Sequence, residues 1–255
     1  MTNIAVTGAT GAMGSTVIQE AADIESVATV LAVSEAHTGE TLDGIPAVTG
    51  SELNDALRAH EVDVVVDFTV PAASIGYVEA AASAGVAAVV GTTGFTDTQF
   101  DTLRDAATNI PIMVAPNFSR GIAAVHQALA SALPQLDGYD IEVTETHHRR
   151  KRDAPSGTAL GLLETIEEVR GNTSLEHGRS GEEPRGEDAI GVHARRAGTI
   201  TGEHEVLMAG NHESVQIVHR AESRGVFAAG ALDATSWIAD KPAGWYRFAE
   251  VLDQG

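Results

Sequence analysis

Asn3-Ile4-Ala5-Val6-Thr7-Gly8-Ala9-Thr10-Gly11-Ala12-Met13-Gly14 is the stretch on which the fold turns. Its first five residues suit a short buried strand, and the glycines after them let the backbone turn tightly. An apolar-periodic run then predicts a helix from Ser15 to about Ala22. Strand, glycine-rich turn and helix, in that order, form the arrangement that binds a dinucleotide. The glycines let the main chain approach a pyrophosphate, which rests on the free N–H groups of the helix start. The spacing Gly8-x-x-Gly11-x-x-Gly14 departs from the commonest fingerprint, so an ordinary structural turn is a fair rival.

Working outward, Val27 to Val33 reads as a second strand ending at Ser34-Glu35. Glu35 stands 21 positions after Gly14, close to the offset of about 20 at which an acid takes the ribose hydroxyls. The next arginine is Arg58, so none is near to take a 2′-phosphate, which leans the reading toward NADH over NADPH. In so acidic a chain Glu35 is equally read as one more surface acid, with Ser34 holding the strand end instead.

The rhythm continues with a helix over Ser51 to His60 and a strand over Val62 to Phe68, then a helix over Ala72 to Ala84 and a strand over Val86 to Val90. A helix over Asp97 to Thr108 and a strand over Ile112 to Ala115 follow. Near-continuous apolar strands alternating with helices imply a parallel sheet covered on both faces. Ligands of such sheets lie beyond the carboxyl ends of the strands. Three loops fall there: Asp67-Phe68-Thr69, Gly91-Thr92-Thr93-Gly94 and Ala115-Pro116-Asn117-Phe118. Each would suit a cofactor-lining loop, and each is also ordinary turn chemistry.

After Phe118 a helix is expected to about Ala132, and then the pattern changes. Asp140 to Thr146 alternates like a strand, and Gly171 to Gly191 is polar and glycine-rich, so a long loop is expected. Glu203 to Met208 and Glu213 to Ala221 read as half-exposed antiparallel strands joined through Gly210-Asn211. Ala228 to Leu252 reads as a final helical stretch packing back on the first domain. The expected class is therefore α/β, a doubly wound parallel sheet plus a smaller α+β domain with an open mixed sheet.

The richest chemistry lies between these halves, in Glu145-Thr-His147-His148-Arg149-Arg-Lys151-Arg152-Asp-Ala-Pro155-Ser156-Gly157-Thr158. Arg149 to Arg152 supply a quarter of the 16 basic residues of a chain whose formal net charge is −20. A cationic island in that field implies a bound anion. Pro155 fixes an extended entry, Ser156 suits an N-cap, and an apolar-periodic run to Val169 completes a helix whose N-terminus favours a carboxylate or phosphate. Histidine and lysine beside such a cradle are the parts of a proton-transfer site. The rival, a solvated or nucleic-acid-binding basic run, is opposed by the acidic whole, the shortness of the cluster and the few aromatics. No metal is expected: adjacent histidines diverge, and the chain has no cysteine.

Bulk properties set the frame. At 255 residues and 43% hydrophobic content the chain is long and apolar enough for one large or two modest cores. No apolar run approaches the roughly 18 residues that cross a bilayer, and an apolar strand pattern follows Met1 directly, so a cytoplasmic location without membrane partners is expected. Asp and Glu total 36, whereas the lysines are Lys151 and Lys241. That imbalance suggests a salt-adapted, halophilic protein, its self-repulsion screened where the Debye length is roughly 3 Å at 1 M salt. An unchanged fold and activity in salt-free buffer would count against it.

Taken together, Gly8 to Gly14 with Met13, Asp67-Phe68-Thr69, Gly91 to Phe95, Ala115 to Ser119 and above all His147 to Ala159 resemble the dihydrodipicolinate reductase family across essentially the whole chain. The resemblance implies a Rossmann-type dinucleotide domain over 1–118 and 229–255, and a substrate-binding and oligomerisation domain over 119–228. It implies hydride transfer from NADH or NADPH to a cyclic imine bearing two carboxylates. By position, His147 matches the family's catalytic acid/base and Lys151 its proton donor. His148 matches a substrate contact, and Gly157 and Thr158 donate to a substrate carboxylate, with Ser156 adjoining. Gly8, Ala9, Thr10, Gly11, Ala12 and Met13 match a cofactor loop, as do Gly91, Thr92 and Thr93, and Ala115, Pro116, Asn117 and Phe118. Ser34-Glu35 lacks the acidic-then-basic pair with which some members accept either cofactor. Family members are typically homotetramers joined through the substrate-domain sheet, with hinges that close over the ligand.

Two enzyme rivals and one of another class stand beside this. A short-chain dehydrogenase needs Tyr-x-x-x-Lys, but four positions after Tyr77, Tyr139 and Tyr246 stand Ala81, Val143 and Glu250, so it fails. A two-domain dehydrogenase acting on an amino-acid semialdehyde is separable by substrate assay. A redox-sensing or nucleic-acid-binding protein without turnover is separable by a Lys151→Ala variant.

Overall fold

The computed structural model describes residues 1–36, 40–171, 173–186 and 188–252. Residues 172 and 187, inside the expected long loop, and 253–255, at the end of the expected first domain, lie outside the described residues. The chain divides into two compact units, Met1–Ser119 with Arg224–Gly255, and Arg120–Ser223.

The first unit begins with β1 (Thr2–Thr7), α1 (Ala12–Ala21) and β2 (Val27–Val33). The helix starts three residues before the expected Ser15, because Gly11 itself acts as its extended N-cap. A short antiparallel pair, β3 (Thr41–Leu42) and β4 (Ile45–Val48), extends the sheet beyond β2. A 3-10 turn (Gly50–Glu52) then leads into α2 (Leu53–Ala59), followed by β5 (Val64–Asp67), α3 (Pro71–Ala84), β6 (Ala87–Val90), α4 (Asp97–Ala106) and β7 (Pro111–Val114).

The second unit opens with α5 (Arg120–Ala132), β8 (Asp140–His147) and α6 (Gly157–Arg170). The expected long loop over 171–191 is corrected: it contains an edge strand, β9 (Ser174–His177), and the start of β10 (Ala189–Arg196). β11 (Gly202–Ala209) and β12 (Ser214–Ala221) form the antiparallel pair, closed where Gly210 N–H donates to Glu213 O.

The return to the first unit is α7 (Gly225–Ile238), β13 (Gly244–Tyr246) and α8 (Ala249–Leu252). The expected helical stretch over 228–252 is therefore interrupted by a strand that pairs in parallel with β7. Its physical cause is local: Pro242 and Gly244 break the helix, and Trp245 and Tyr246 suit a pleated edge.

Among the described residues the first unit holds an eight-stranded sheet ordered β13-β7-β6-β5-β1-β2-β4-β3, parallel apart from the β3–β4 pair. The triple-valine strand β5 is fully buried, as a central strand covered on both faces requires. One face packs Leu53, Leu57, Val78, Ala81 and Leu103 from α2, α3 and α4 against Ala5, Leu31, Val65 and Ile112. α1 packs on α7, and α7 also meets β5, β6 and β7. This is the doubly wound, Rossmann-type plan. The second unit carries a five-stranded mixed sheet, β12-β11-β8-β10-β9, with β8 and β10 parallel and β11 antiparallel to β8. Its core joins Val125 and Leu129 of α5 and Leu162 and Ile166 of α6 to Ile141, Val143, Val192 and Val206.

Candidate active site

In the first unit, β1 lies between β5 and β2, so its C-terminal end opens where the strand order reverses. Open α/β sheets bind their ligands there. Gly8 takes a left-handed φ of 62°, and its carbonyl accepts from Gly11 N–H at 2.8 Å. A Cβ on Gly14 would stand 2.3 Å from Gly8 O, so glycine is needed for α1 to close on the loop. No side chain caps α1 and no acid sits in its first turn. Thr10, Gly11 and Ala12 are exposed, Gly8 and Met13 half-buried, and Ala9 is buried. An uncapped, uncharged helix start inside a glycine turn fits the phosphates of a dinucleotide.

A buried carboxylate organises the neighbouring loops. Asp67, fully buried at the end of β5, accepts from the hydroxyls of Thr7 (2.5 Å), Thr69 (2.6 Å) and Thr92 (2.6 Å). The Thr92 hydroxyl in turn accepts Thr69 N–H at 2.8 Å, and Gly91 N–H donates to Asp67 O. Thr92 is thus committed to the scaffold, while Thr93 is exposed. In the third loop Ala115 is buried and Pro116 exposed, and Asn117 Oδ1 accepts Ser119 N–H at 2.7 Å.

Two side chains expected near the cofactor make contacts within the protein. Phe118 is 1% exposed and packs edge-on against Phe68 and Phe248, so its ring supports the loop from beneath. Glu35 Oε1 accepts Gly50 N–H at 2.7 Å, which pins the turn before α2. Ser34 is buried, its hydroxyl shared with Thr10 at 2.8 Å.

In the second unit, alternation along β8 puts Ile141, Val143, Glu145 and His147 on the buried face. Glu145 is fully buried and takes four hydrogen bonds. Arg196, opposite His147 in the β8–β10 register, donates through Nη1 to Oε2 (2.8 Å) and Nη2 to Oε1 (2.6 Å). His147 Nδ1 lies 2.5 Å from Oε2, and Ser156 N–H donates to Oε1 at 3.2 Å. Burial works against the charge of Glu145, but the hydrogen bonds from Arg196 and His147 outweigh it and hold the carboxyl below its usual range.

Burial also pushes the His147 imidazole below its ordinary value, against the pull of Glu145 and with the help of Lys151 and Arg196. The ring is then neutral at pH 7, with its proton on Nδ1 facing the carboxylate and a lone pair on Nε2. Gly202 leaves room for that nitrogen, since a Cβ there would lie 3.1 Å from Nε2. His204, opposite Glu145 on β11, stacks edge-on to His147 at 5.2 Å. Burial first, and His147 next, push His204 down to about 3.

Residues 148–151 form a turn closed by Lys151 N–H donating to His148 O at 3.1 Å. Lys151 Nζ pairs with Asp153 Oδ2 at 2.9 Å, its side chain 23% exposed. His148 Nδ1 is buried without a hydrogen-bond partner. Ser156 caps α6, accepting Ala159 N–H at 3.2 Å, and its hydroxyl also meets His204 Nε2 at 3.1 Å. Ser156 is thus buried in the scaffold, whereas a Cβ on Gly157 would meet nothing within 4 Å, leaving open space at the helix start. One buried carboxylate therefore links a neutral imidazole to a helix N-terminus, with an ammonium on the intervening turn. The arrangement can hold a carboxylate and move a proton.

Sequence reasoning passed over Glu145 as a participant, and Arg196 and His204 altogether. A signal for the first was present: the inward positions of β8 require a partner for any acid they carry. Among the described residues no group of three His, Cys, Asp or Glu side chains is arranged to hold a metal ion, and no helix is long and apolar enough to cross a membrane.

Two family models match this chain: dihydrodipicolinate reductase, N-terminus, over residues 2–118, and dihydrodipicolinate reductase, C-terminus, over residues 121–252. A 4-hydroxy-tetrahydrodipicolinate reductase of Haloarcula marismortui is 49% identical over 99% of this chain and 100% of its own. One of Methanothermobacter thermautotrophicus is 41% identical over 100% of this chain and 98% of its own. Among solved structures, a dipicolinate-bound dihydrodipicolinate reductase from Paenisporosarcina sp. TG-14 superposes with a TM-score of 0.79 at 25% identity, covering 97% of both chains. An amine dehydrogenase from Mycobacterium smegmatis, at 12% identity and a TM-score of 0.67, shares the fold alone, over 97% of this chain and 95% of that one.

Proposed function

The chain belongs to the dihydrodipicolinate reductase family, and from that premise we propose how its residues divide the work. The reaction is the nicotinamide-dependent reduction of 4-hydroxy-tetrahydrodipicolinate to tetrahydrodipicolinate, in lysine and diaminopimelate biosynthesis. The reduced nicotinamide, when bound, supplies the hydride. The chain's own residues bind the dicarboxylate and manage the proton.

Lys151 is the proton donor to the electron-rich carbon that hydride addition creates, and His147 accepts and relays through Nε2. Gly157 and Thr158 offer amides of α6 to a ring carboxylate, with Ser156 holding that helix start and His148 as a further substrate contact. One observation carries this reading: Glu145 ties the His147 ring and the α6 N-terminus to a single buried carboxylate. Gly8 to Met13, Gly91 to Thr93 and Ala115 to Phe118 form the cofactor loops. A preference for NADH is supported by Glu35 at the end of β2 and by Arg58, the next arginine, whose guanidinium is turned to Ser83 O. The unit of Met1–Ser119 with Arg224–Gly255 serves the dinucleotide, and Arg120–Ser223, close to the expected 119–228, serves the substrate and assembly. The cytoplasm is the proposed location, and a homotetramer joined through the second sheet is supported by the exposed Val215 and Val218 on edge strand β12. Halophilic behaviour is supported by the net charge of −20.

The test couples the upstream synthase, as the source of substrate, to oxidation of NADH or NADPH at high and low salt. Lys151→Ala should keep cofactor binding and lose turnover by ~10²-fold or more. Unchanged turnover would remove Lys151 from the mechanism.

A further inference from the structure

We infer that Glu145 and Arg196 are positioning residues that act as a charge-balanced lock, fixing His147 as the neutral, Nδ1-protonated ring with Nε2 free for the reaction. The inference rests on the proposed role of His147 and deepens it. A carboxylate fully removed from water is strongly disfavoured unless its charge is met. Glu145 meets its charge with the two-pronged guanidinium of Arg196, and Arg196 Nη2 also donates to Asp153 O at 2.6 Å. The second lone-pair sites of the carboxylate take His147 Nδ1 and Ser156 N–H.

The consequence concerns charge as well as geometry. A lone buried carboxylate 2.5 Å from an imidazole would draw a second proton onto the ring. Because Arg196 neutralises that carboxylate, the proton on Nδ1 is held by a hydrogen bond without the ring becoming cationic. The other groups facing His147 add no negative charge: Lys151 from the following turn is cationic, and His204 from β11 is itself neutral. The burial-driven fall of the His147 pKa agrees with this balance. A proton acceptor is thereby held beside a cationic neighbourhood that must also receive an anion.

The two halves of the lock should therefore move His147 in opposite directions, which a purely structural role would not do. The experiment reads imidazole ¹⁵N resonances of His147, assigned by their loss in His147→Gln, on the unliganded full chain, together with pH profiles of kcat. Wild type should show the Nδ1–H tautomer. Arg196→Met should raise the His147 midpoint by about one pH unit, because Glu145 is then unbalanced. Glu145→Gln should lower it and weaken the tautomer preference, with kcat falling at least tenfold and more than KM rises. The kcat profiles should shift in the same two directions.

Shifts of equal sign, or none, would overturn the lock. Where Arg196→Met does not fold, Arg196→Lys replaces it: that variant keeps the charge, so its midpoint should stay near wild type while Glu145→Gln falls. A midpoint in Arg196→Lys that falls together with that of Glu145→Gln would overturn the lock. The titration needs no substrate. A wild type that fails to reduce the dicarboxylate imine yet titrates as expected would sink the assigned reaction and leave the lock standing.

Discussion

Each unit gathers its loops around one buried carboxylate, and the two are satisfied in different ways. Asp67 takes three threonine hydroxyls, whereas Glu145 takes an arginine, an imidazole and a helix-cap amide. Hydroxyl donors carry no charge and do not titrate, so the Asp67 cluster holds its loops in shape and leaves the positive field there to helix ends. At Glu145 the partners are a permanent cation and a titratable ring, so shape and proton inventory are coupled. A scaffold for a cofactor's phosphates needs only the first kind, and a site that moves protons needs the second.

The sharpest way to break that contrast is to remove each carboxylate in turn. Glu145→Ala deprives the half-buried Arg196 guanidinium of its carboxylate, leaving it the carbonyls of Asp153 and Arg195, and should destabilise the chain by about 3–5 kcal/mol. Asp67→Ala strands neutral hydroxyls and should cost about 2–3 kcal/mol. Denaturant unfolding of both variants checks the order, and a larger loss at Asp67 would contradict the distinction.

Acid should act unevenly on the two units. His126, His147, His204 and His219, all in the second unit, are held below the ordinary value of 6.5, chiefly by burial. The unfolded chain therefore binds more protons than the folded one below pH 6.5. Their contribution to stability is complete above that pH and is lost as pH falls, down to about 3 for His204. Each such proton tilts stability by about 1.4 kcal/mol per pH unit. Among the described residues of the first unit the resolved shifts are those of Glu52, lowered by its hydrogen bonds to Thr49, and Tyr77, raised by burial, and neither acts between pH 6.5 and 4.5. Hydrogen exchange at pH 5 against pH 7 should show protection lost in residues 120–223 first. Uniform loss would refute the division.

The mildest expected effect is Ser156→Ala, which deletes the α6 cap and the hydroxyl met by His204, at about 1 kcal/mol. Because Ser156 is scaffold and Gly157 faces open space, the variant should lose melting temperature while the KM for the dicarboxylate imine rises less than threefold. A larger rise would make the hydroxyl a direct ligand.

What could be read from the sequence follows the same divide. The parallel strands β1, β2, β5, β6 and β7 are continuous apolar runs between turn residues, so each announces itself locally. β3, β9 and β13 do not, because strands of two to four residues at a sheet edge are too short to show a period. β10 ends in His193, Ala194, Arg195 and Arg196, whose polarity disguises a strand that is buried only in its first half. At the site, His147, Lys151 and Gly157 stand within one segment and were legible there. Arg196 and His204 reach the candidate site through register with β8, opposite His147 and Glu145, pairings far apart in sequence that leave no local trace. Glu35, read from its offset after Gly14, also accepts Gly50 N–H, and Phe118 packs edge-on against Phe68 and Phe248, contacts that the segment around each residue does not show.

The edge strand β13 has a consequence for biogenesis. During synthesis the ribosome delivers all of residues 120–223 before the segment that covers the outer margin of β7 exists. The interrupted unit must wait with an open margin, and without α7 beneath its central strands, while the inserted one can already condense. A stall near residue 224 would thus leave the second unit fully synthesised and the first without α7 and its last strand.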